Sequence, residues 1–353
     1  MTWFDRPPLD AEREVETWVA AHGLPRYRAS QIAPRLWTRP IASWDEATDL
    51  PRALIELLRR EHPVPRATLA IRQQSVDGTI KYLWQLDDAT AVEAVLIPER
   101  RRRTLCLSSQ AGCAFACTFC ATGRMGFGRH LSPWEIAAQV RELMLRPDET
   151  APTNVVFMGM GEPLHNWRSV DTALTILNAP SGLGIGARHV TVSTVGLVPG
   201  LRRLAARPEQ FGVALSLHSP FSDRRAQLMP VERKYPLPTV LDALRAFRRR
   251  VTFEYVMIDG FNDRSEDATA LATLAPDLHA HVNLLALHPG GDGNLRPSPP
   301  ERIETFAGWL RARGTNATVR RSRGLDIDAA CGQLRIAAEL GRVAPQHDGH
   351  VEQ

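Results

Sequence analysis

Cys113, Cys117 and Cys120 stand in the run CAFACTFC, a C-x3-C-x2-C spacing that gathers three thiols on one tight loop. Thiolates so spaced can hold a metal or an iron–sulfur cluster. An ordinary [4Fe–4S] or structural zinc site closes with four protein ligands. Three leave one coordination position open, where a small molecule could bind and react. The spacing therefore points to catalysis before scaffolding. The competing reading is a zinc loop that borrows a distant fourth ligand, such as a histidine. Cys106 and Cys331 complete a count of five. An odd number does not suit a disulfide framework, and reads better as three ligands plus two reactive thiols.

The elements that must position these cysteines are legible in outline. From residue 104 onward short apolar runs alternate with helical segments. The predicted strands are Thr104–Ser108, Asn154–Met158, Val190–Thr194, Val213–Leu217, Phe253–Ile258 and Val282–Leu287. Between the first two, Ser132, Pro133 and Glu135 form an S-x-x-E helix start. Six β-then-α units with buried strands predict an α/β fold, a parallel sheet or incomplete barrel. Chemistry in such folds sits at the carboxyl ends of the strands. Gly161-Glu162, Ser193, Ser216 with His218, and Asn283 are expected at or just past such ends. Taken singly, a strand-end Ser or Asn is a turn or cap residue.

Upstream, DAEREVETWVAAHG, RASQIAPRLW and LPRALIELLRREHP predict short helices, the first with an apolar stripe at Val15, Trp18 and Val19. Three alternating runs follow, ATLAIRQQSV, DGTIKYLWQL and AVEAVLIP, with Asp77-Gly78 as a turn. The expected division is a helical accessory domain over 1–67, a β extension over 68–98, a core over 99–324 and a C-terminal segment over 325–353.

The chain has 353 residues, 44% of them hydrophobic and 23% charged, with a net charge of +4. That suits a soluble globular protein, and the mild basicity, nearly all arginine, fits a polyanionic partner as well as a small-molecule enzyme. No run approaches the roughly 18 apolar residues a membrane span needs, and the N-terminus lacks the apolar core of a signal peptide. A cytoplasmic protein is expected, where structural disulfides are rare.

CAFACTFCATG resembles the radical S-adenosylmethionine (SAM) signature, and GMGEP follows the second strand where that superfamily's glycine-rich turn binds the SAM amino group. TLCLSSQAGC, ATGRMGFGRHLSPWEI, HVTVSTVGLVPG, SLHSP, RGLDIDAACGQL and DGTIKYLW extend the likeness from about Arg28 to Leu334. Together they resemble the RlmN/Cfr family of radical SAM methyltransferases, which methylate an adenine of ribosomal RNA. The resemblance implies a partial (β/α)6 radical SAM barrel and a [4Fe–4S] cluster on Cys113, Cys117 and Cys120, with SAM on the fourth iron.

By the same resemblance, Gly161, Glu162, Ser193, Ser216, Leu217, His218 and Asn283 bind SAM, and Cys331 carries the methyl group. Cys106 is then the resolving thiol of a transient Cys106–Cys331 disulfide. Glu93 becomes the general base, although the alternation of its strand makes it an exposed residue by default. Two SAM molecules are implied, one methylating Cys331 and one supplying the radical that takes hydrogen from the S-methyl group. An adenine ring carbon is electrophilic, which gives a chemical reason for a carrier.

Wording near Glu93–Pro98 favours carbon 2 of a 23S rRNA adenine over carbon 8, with a transfer RNA adenine as a second substrate. LHPGGDGNLRPSPP, SLHSPF and GEPLHNW depart from the family's usual pattern. These loops belong to the substrate mouth, so they bear on the nucleotide more than on the chemistry. Expected partners are RNA and an electron donor such as flavodoxin or ferredoxin, with a monomeric chain. Arg100–Arg103 and Arg320, Arg321 and Arg323 are expected to flank the active-site mouth; Arg248–Arg250 has no such placement. The remaining alternatives are a carbon-8 methylase, a methylase of another RNA, a radical SAM enzyme acting on protein or a small molecule, and a zinc-containing RNA-binding protein without catalysis.

Overall fold

Alternating apolar residues in the first three runs, and continuous ones later, build a single ten-stranded sheet in a computed structural model that describes residues 2–288, 290, 291 and 293–334. The strands are β1 Thr68–Gln74, β2 Ile80–Gln85, β3 Ala91–Glu99, β4 Arg102–Cys106, β5 Gln110–Gly112, β6 Phe127–His130, β7 Asn154–Phe157, β8 Val190–Thr194, β9 Gly212–Ser216, β10 Thr252–Met257, β11 His281–Ala286 and β12 Ala317–Arg320. β1 to β4 pair antiparallel in sequence order. From β4 the sheet turns parallel through β7, β8, β9, β10, β11 and β12. All six predicted core strands are present. The short β12 adds a seventh parallel strand that its four residues did not announce.

The antiparallel strands of the expected β extension lead directly into the core sheet. β3 pairs with β4, Val95 lying opposite Cys106, so the flap and the barrel share one hydrogen-bonded sheet. This overturns the default reading of Glu93. β3 is buried along Ala91–Leu96 on both faces, and Glu93 is only 3% exposed.

The helix Pro133–Met144 starts with the predicted capping box. The Ser132 hydroxyl accepts from Glu135 N, and the Glu135 carboxylate accepts from Ser132 N. Its far end carries Arg141 and Glu142, both fully buried. Arg141 donates to Leu36 O and Ile41 O at 2.9 and 2.8 Å, and Glu142 receives two 2.8 Å bonds from Arg66. These bonds fasten the N-terminal helices Pro8–Ala21, Tyr27–Ile32 and Arg52–Glu61 to the core. Val15 and Val19 are buried as the stripe predicted. Among the described residues no helix is long and apolar enough to cross a membrane.

Candidate active site

The cysteine loop hangs between β5 and β6, a two-stranded ribbon that its glycines make feasible. Cys113 N donates to Gly126 O at 2.8 Å, and a Cβ on Gly112 would stand 2.1 Å from that same oxygen. A side chain is thereby excluded where the loop closes. Thr118 N reaches Leu228 O at 2.9 Å, tying the loop to the helix Ser222–Leu228. Arg225 of that helix, fully buried, pairs with Glu232 and donates to Val195 O at 2.6 Å.

Cys113, Cys117 and Cys120 line one wall of a cavity of about 160 Å³. The opposing walls come from the carboxyl ends of β7, β8, β9 and β10, with Gly161, Glu162, Ser193, Ser216, His218 and Glu254 among them. Burial pushes the Cys113 thiol up to about 12, and Cys117 well above its ordinary value, with Cys120 and Glu162 adding to both. Such thiols are costly to ionise alone and become thiolates on coordination. Among the described residues no three ligating side chains converge on a single metal ion, but three soft sulfur donors on one loop facing a cavity suit a cluster whose irons take one thiolate each.

Glu162 organises the cavity more than it faces it. Its carboxylate accepts from Leu164 N at 3.0 Å and Val195 N at 2.8 Å, and its own N–H donates to Gln110 Oε1 at 2.8 Å. Burial raises its carboxyl to about 7 against these bonds. Gly161 has φ +99°, and a Cβ there would lie 2.6 Å from Gln110 Cβ, so the turn needs glycine twice over. His218 sits at φ +56° and is buried. Its ring is held neutral, lowered to about 3 by burial with Arg225 adding, and its Nδ1 accepts from Val256 N at 3.1 Å.

Two expected positions do not touch this cavity. Leu217 is wholly buried, and only its backbone takes part, its N–H donating to Glu254 O at 3.0 Å. Asn283 lies inside β11 rather than at its end, because the strand begins at His281. Its Nδ2 donates to Glu254 Oε1 at 2.9 Å, so it supports a cavity residue from behind.

A second cavity, of about 80 Å³, adjoins the first, and Cys331 lines both. Val95, Ile97 and Cys106 come from the antiparallel side, Met158 and Leu285 from the barrel, and Arg320, Arg321, Arg323 and Ala330 from the chain leading to Cys331. Burial pushes Cys106 up to about 12, helped by Cys331 and opposed by Arg320. Cys331 is solvent-exposed, yet desolvation by the atoms crowded around it, with Glu254 beside it, pushes its thiol up to about 11, again opposed by Arg320. Among the described residues all five cysteines are free thiols, so the expected Cys106–Cys331 disulfide is not formed here. The loop of Cys331 is bolted to the cysteine loop by Ala121 N to Gly332 O at 2.8 Å and Thr122 Oγ1 to Leu334 O at 2.6 Å.

Arg320, Arg321 and Arg323 border this cavity as expected. Arg100–Arg103 do not. They precede or open β4, and Arg101 and Arg102 line a separate depression with Arg188 and His189, at the entering ends of β7 and β8. Parallel strands send their chemistry to the opposite ends. Arg248 and Arg249 lie in another depression beside Glu209 and Phe247.

Residues 107–272 match the model of the Radical SAM superfamily. A probable dual-specificity RNA methyltransferase RlmN of Gemmatimonas aurantiaca is 56% identical over 337 residues, covering 95% of this chain and 93% of the relative. This chain belongs to the RlmN family of radical SAM RNA methyltransferases. A dual-specificity RNA methyltransferase RlmN of an Anaeromyxobacter species is 45% identical across 96% of this chain and 91% of its own. A radical SAM methyltransferase crystal structure from Sphaerobacter thermophilus superposes with a TM-score of 0.88 at 43% identity, covering 95% of this chain and 99% of that one. The RlmN membership makes the chain a SAM-dependent enzyme that uses a [4Fe–4S] cluster, which removes the non-catalytic zinc protein and the radical enzyme for other substrates.

Sequence reasoning missed Glu254, which lines the first cavity, and His288, which lines both. It also missed Gln110, the partner of Glu162, whose Nε2 meets His130 and His165 at 3.0 and 3.1 Å. A glutamate in the apolar run TFEYVM is a signal that could have been read.

Proposed function

We propose that this RlmN-family enzyme methylates carbon 2 of an adenine in 23S rRNA and, as its relatives' dual-specificity name suggests, a transfer RNA adenine. The observation that carries the reading is the meeting of Cys106 and Cys331 in a cavity that opens beside the one lined by Cys113, Cys117 and Cys120. In this reading those three cysteines hold the cluster, and Gly161, Glu162, Ser193, Ser216 and His218 cradle SAM, with Leu217 and Asn283 bracing them through Glu254. The cluster and SAM, when bound, supply a methyl cation equivalent in one turnover and a hydrogen-abstracting radical in another.

Cys331 accepts the methyl group on sulfur and presents it to the RNA. Arg320 is the cation that favours the thiolate forms of Cys331 and Cys106. Once a methylene joins Cys331 to the ring, Glu93 takes the proton of the ring carbon, and the unpaired electron left by radical addition would return to the oxidised cluster when that is bound. Cys106 then attacks the Cys331 sulfur; an S–S bond forms, the sulfur–carbon bond breaks, and its electron pair leaves on the methyl carbon, which takes up a proton. Val95, Ile97, Met158 and Leu285 give the apolar walls a base needs once it is unstacked from its neighbours. Arg321 and Arg323 are suited to the flanking phosphates.

The domain roles follow: residues 1–67 grip folded RNA, 68–98 carry the base, 99–324 hold the cofactors and 325–353 the carrier. The segment beyond 334 lies outside the described residues. A one-electron donor such as flavodoxin or ferredoxin, a dithiol reductant that reopens the Cys106–Cys331 disulfide after each turnover, a monomeric state and a cytoplasmic setting complete the proposal. The test is Cys106→Ala with RNA and SAM. A covalent protein–RNA adduct is expected to accumulate on Cys331, and nucleoside mass spectrometry of parent product is expected to give 2-methyladenosine. An 8-methyl product would move the enzyme to carbon 8, and normal turnover by Cys106→Ala would remove the resolving role.

A further inference from the structure

Glu93 does not stand alone on its strand. In the β2–β3 pairing Leu83 faces Glu93 and Lys81 faces Val95, so Lys81 and Glu93 are diagonal neighbours on one face. Lys81 Nζ lies 3.5 Å from Glu93 Oε1. The Lys81 side chain is 12% exposed and that of Glu93 4%. The same face continues through Val95 to Cys106 on β4, and both border the second cavity. One row of the sheet thus runs from lysine through valine to the resolving thiol, with the carboxylate one step along.

We propose that Lys81 is a positioning residue for the Glu93 carboxylate in the methyl-transfer reaction; this rests on Glu93 acting as base. Burial disfavours an ionised carboxylate, whereas a cation within about 4–6 Å favours it. Glu93 can accept a proton only while ionised. A lysine on a neighbouring strand, with little room to leave, holds it in that state and aims one oxygen. The Glu93 backbone is held as well, its carbonyl accepting from the buried Ser108 Oγ at 2.6 Å, while Ser108 Oγ accepts from Met160 N at 2.8 Å. The backbone is therefore anchored to the turn after β7, and the side chain to β2. Lys81 itself neither gains nor loses a proton in the step. The ring proton passes to Glu93, and the ammonium stays an ammonium throughout.

The reaction separates the role from general support of the fold, because S-methylation of Cys331 precedes the step that needs the base. In the full enzyme with cluster, SAM and RNA, peptide mass spectrometry follows S-methyl-Cys331, and denaturing gels follow the protein–RNA adduct. Lys81→Met is expected to lengthen the adduct lifetime about tenfold relative to its own rate of Cys331 methylation, and Lys81→Arg to recover most of that loss. Should Lys81→Met fail to fold, Lys81→Gln is read in the same way. Glu93→Gln is expected to hold the adduct longer than either. A normal adduct lifetime in Lys81→Met, or no recovery with arginine, overturns the lysine's role while leaving Glu93 as base. A normal lifetime in Glu93→Gln overturns the base and this inference together.

Discussion

The two adjoining cavities are built on opposite plans. The first is assembled mainly from consecutive strand ends of one parallel sheet plus the cysteine loop, with Cys331 and Gly332 added from the C-terminal segment. The second takes Met158, Leu285 and His288 from the barrel but is built mainly from β3 and the end of β4 and, more than two hundred positions later, residues 320–334. On the proposed assignment, the cofactor shared across the superfamily would sit where the parallel sheet itself makes a pocket, and the family's own reaction where β3 and the C-terminal segment are added to it. Cys331 lines both cavities and would be the point where the general chemistry becomes specific.

Substitutions that strike one cavity at a time test this division. The largest effects come from cysteines. Cys113→Ala and Cys331→Ala are both expected to abolish RNA methylation. Only the first should lose the cluster, so iron analysis should give about four irons per chain in Cys331→Ala and far fewer in Cys113→Ala. Equal iron loss would mean the cavities are not separable. Gly161→Ala forces a Cβ against Gln110 in the first cavity. It is expected to cost about 1–3 kcal/mol, seen as a lower melting temperature and weaker SAM binding by calorimetry.

Arg320→Met addresses the second cavity. With the cation gone, the Cys106 thiol rises further, and its thiolate fraction at fixed pH falls. Alkylation of Cys106 at pH 9 should slow about threefold, a modest figure because Arg320 is exposed. The smallest effect concerns the turn beneath that cavity. Asp77 is raised by burial, yet hydrogen bonds from Thr79, Gly324 and Ser75 bring it down to about 2. A carboxyl depressed in the folded state stabilises above its unfolded value and loses that contribution as pH falls. The parent should therefore lose stability between about pH 4 and pH 2, by less than about 1 kcal/mol. Asp77→Asn should flatten that acid limb in a denaturation series.

The first cavity was legible because its signals are local. The cysteine spacing, the GMGEP turn and the capping box at Ser132 each lie within a dozen residues, and the structure realises each. Position along a strand was harder to read. Asn283 is the third residue of β11, directly opposite Glu254 on β10, so it meets the cavity only through its strand neighbour, a pairing no single run reports. The burial of Glu93 is long-range too. β3 alternates like a half-exposed strand, and only its place between β2 and β4 covers both faces. Arg100–Arg103 looked close to the cysteines in sequence. They fall at the entering end of β4, so the strand itself separates them from the carboxyl-end site. Glu254 escaped because its partner Asn283 is 29 positions away and meets it only through strand pairing.

Two backbone carbonyls of the carrier segment, those of Gly332 and Leu334, are received by the residues directly after Cys120. On the proposed roles, any shift of the cysteine loop on taking up its cluster would pass through these two bonds to the sulfur of Cys331. A chain short of iron would then also hold that sulfur out of place and be slow to take up a methyl group.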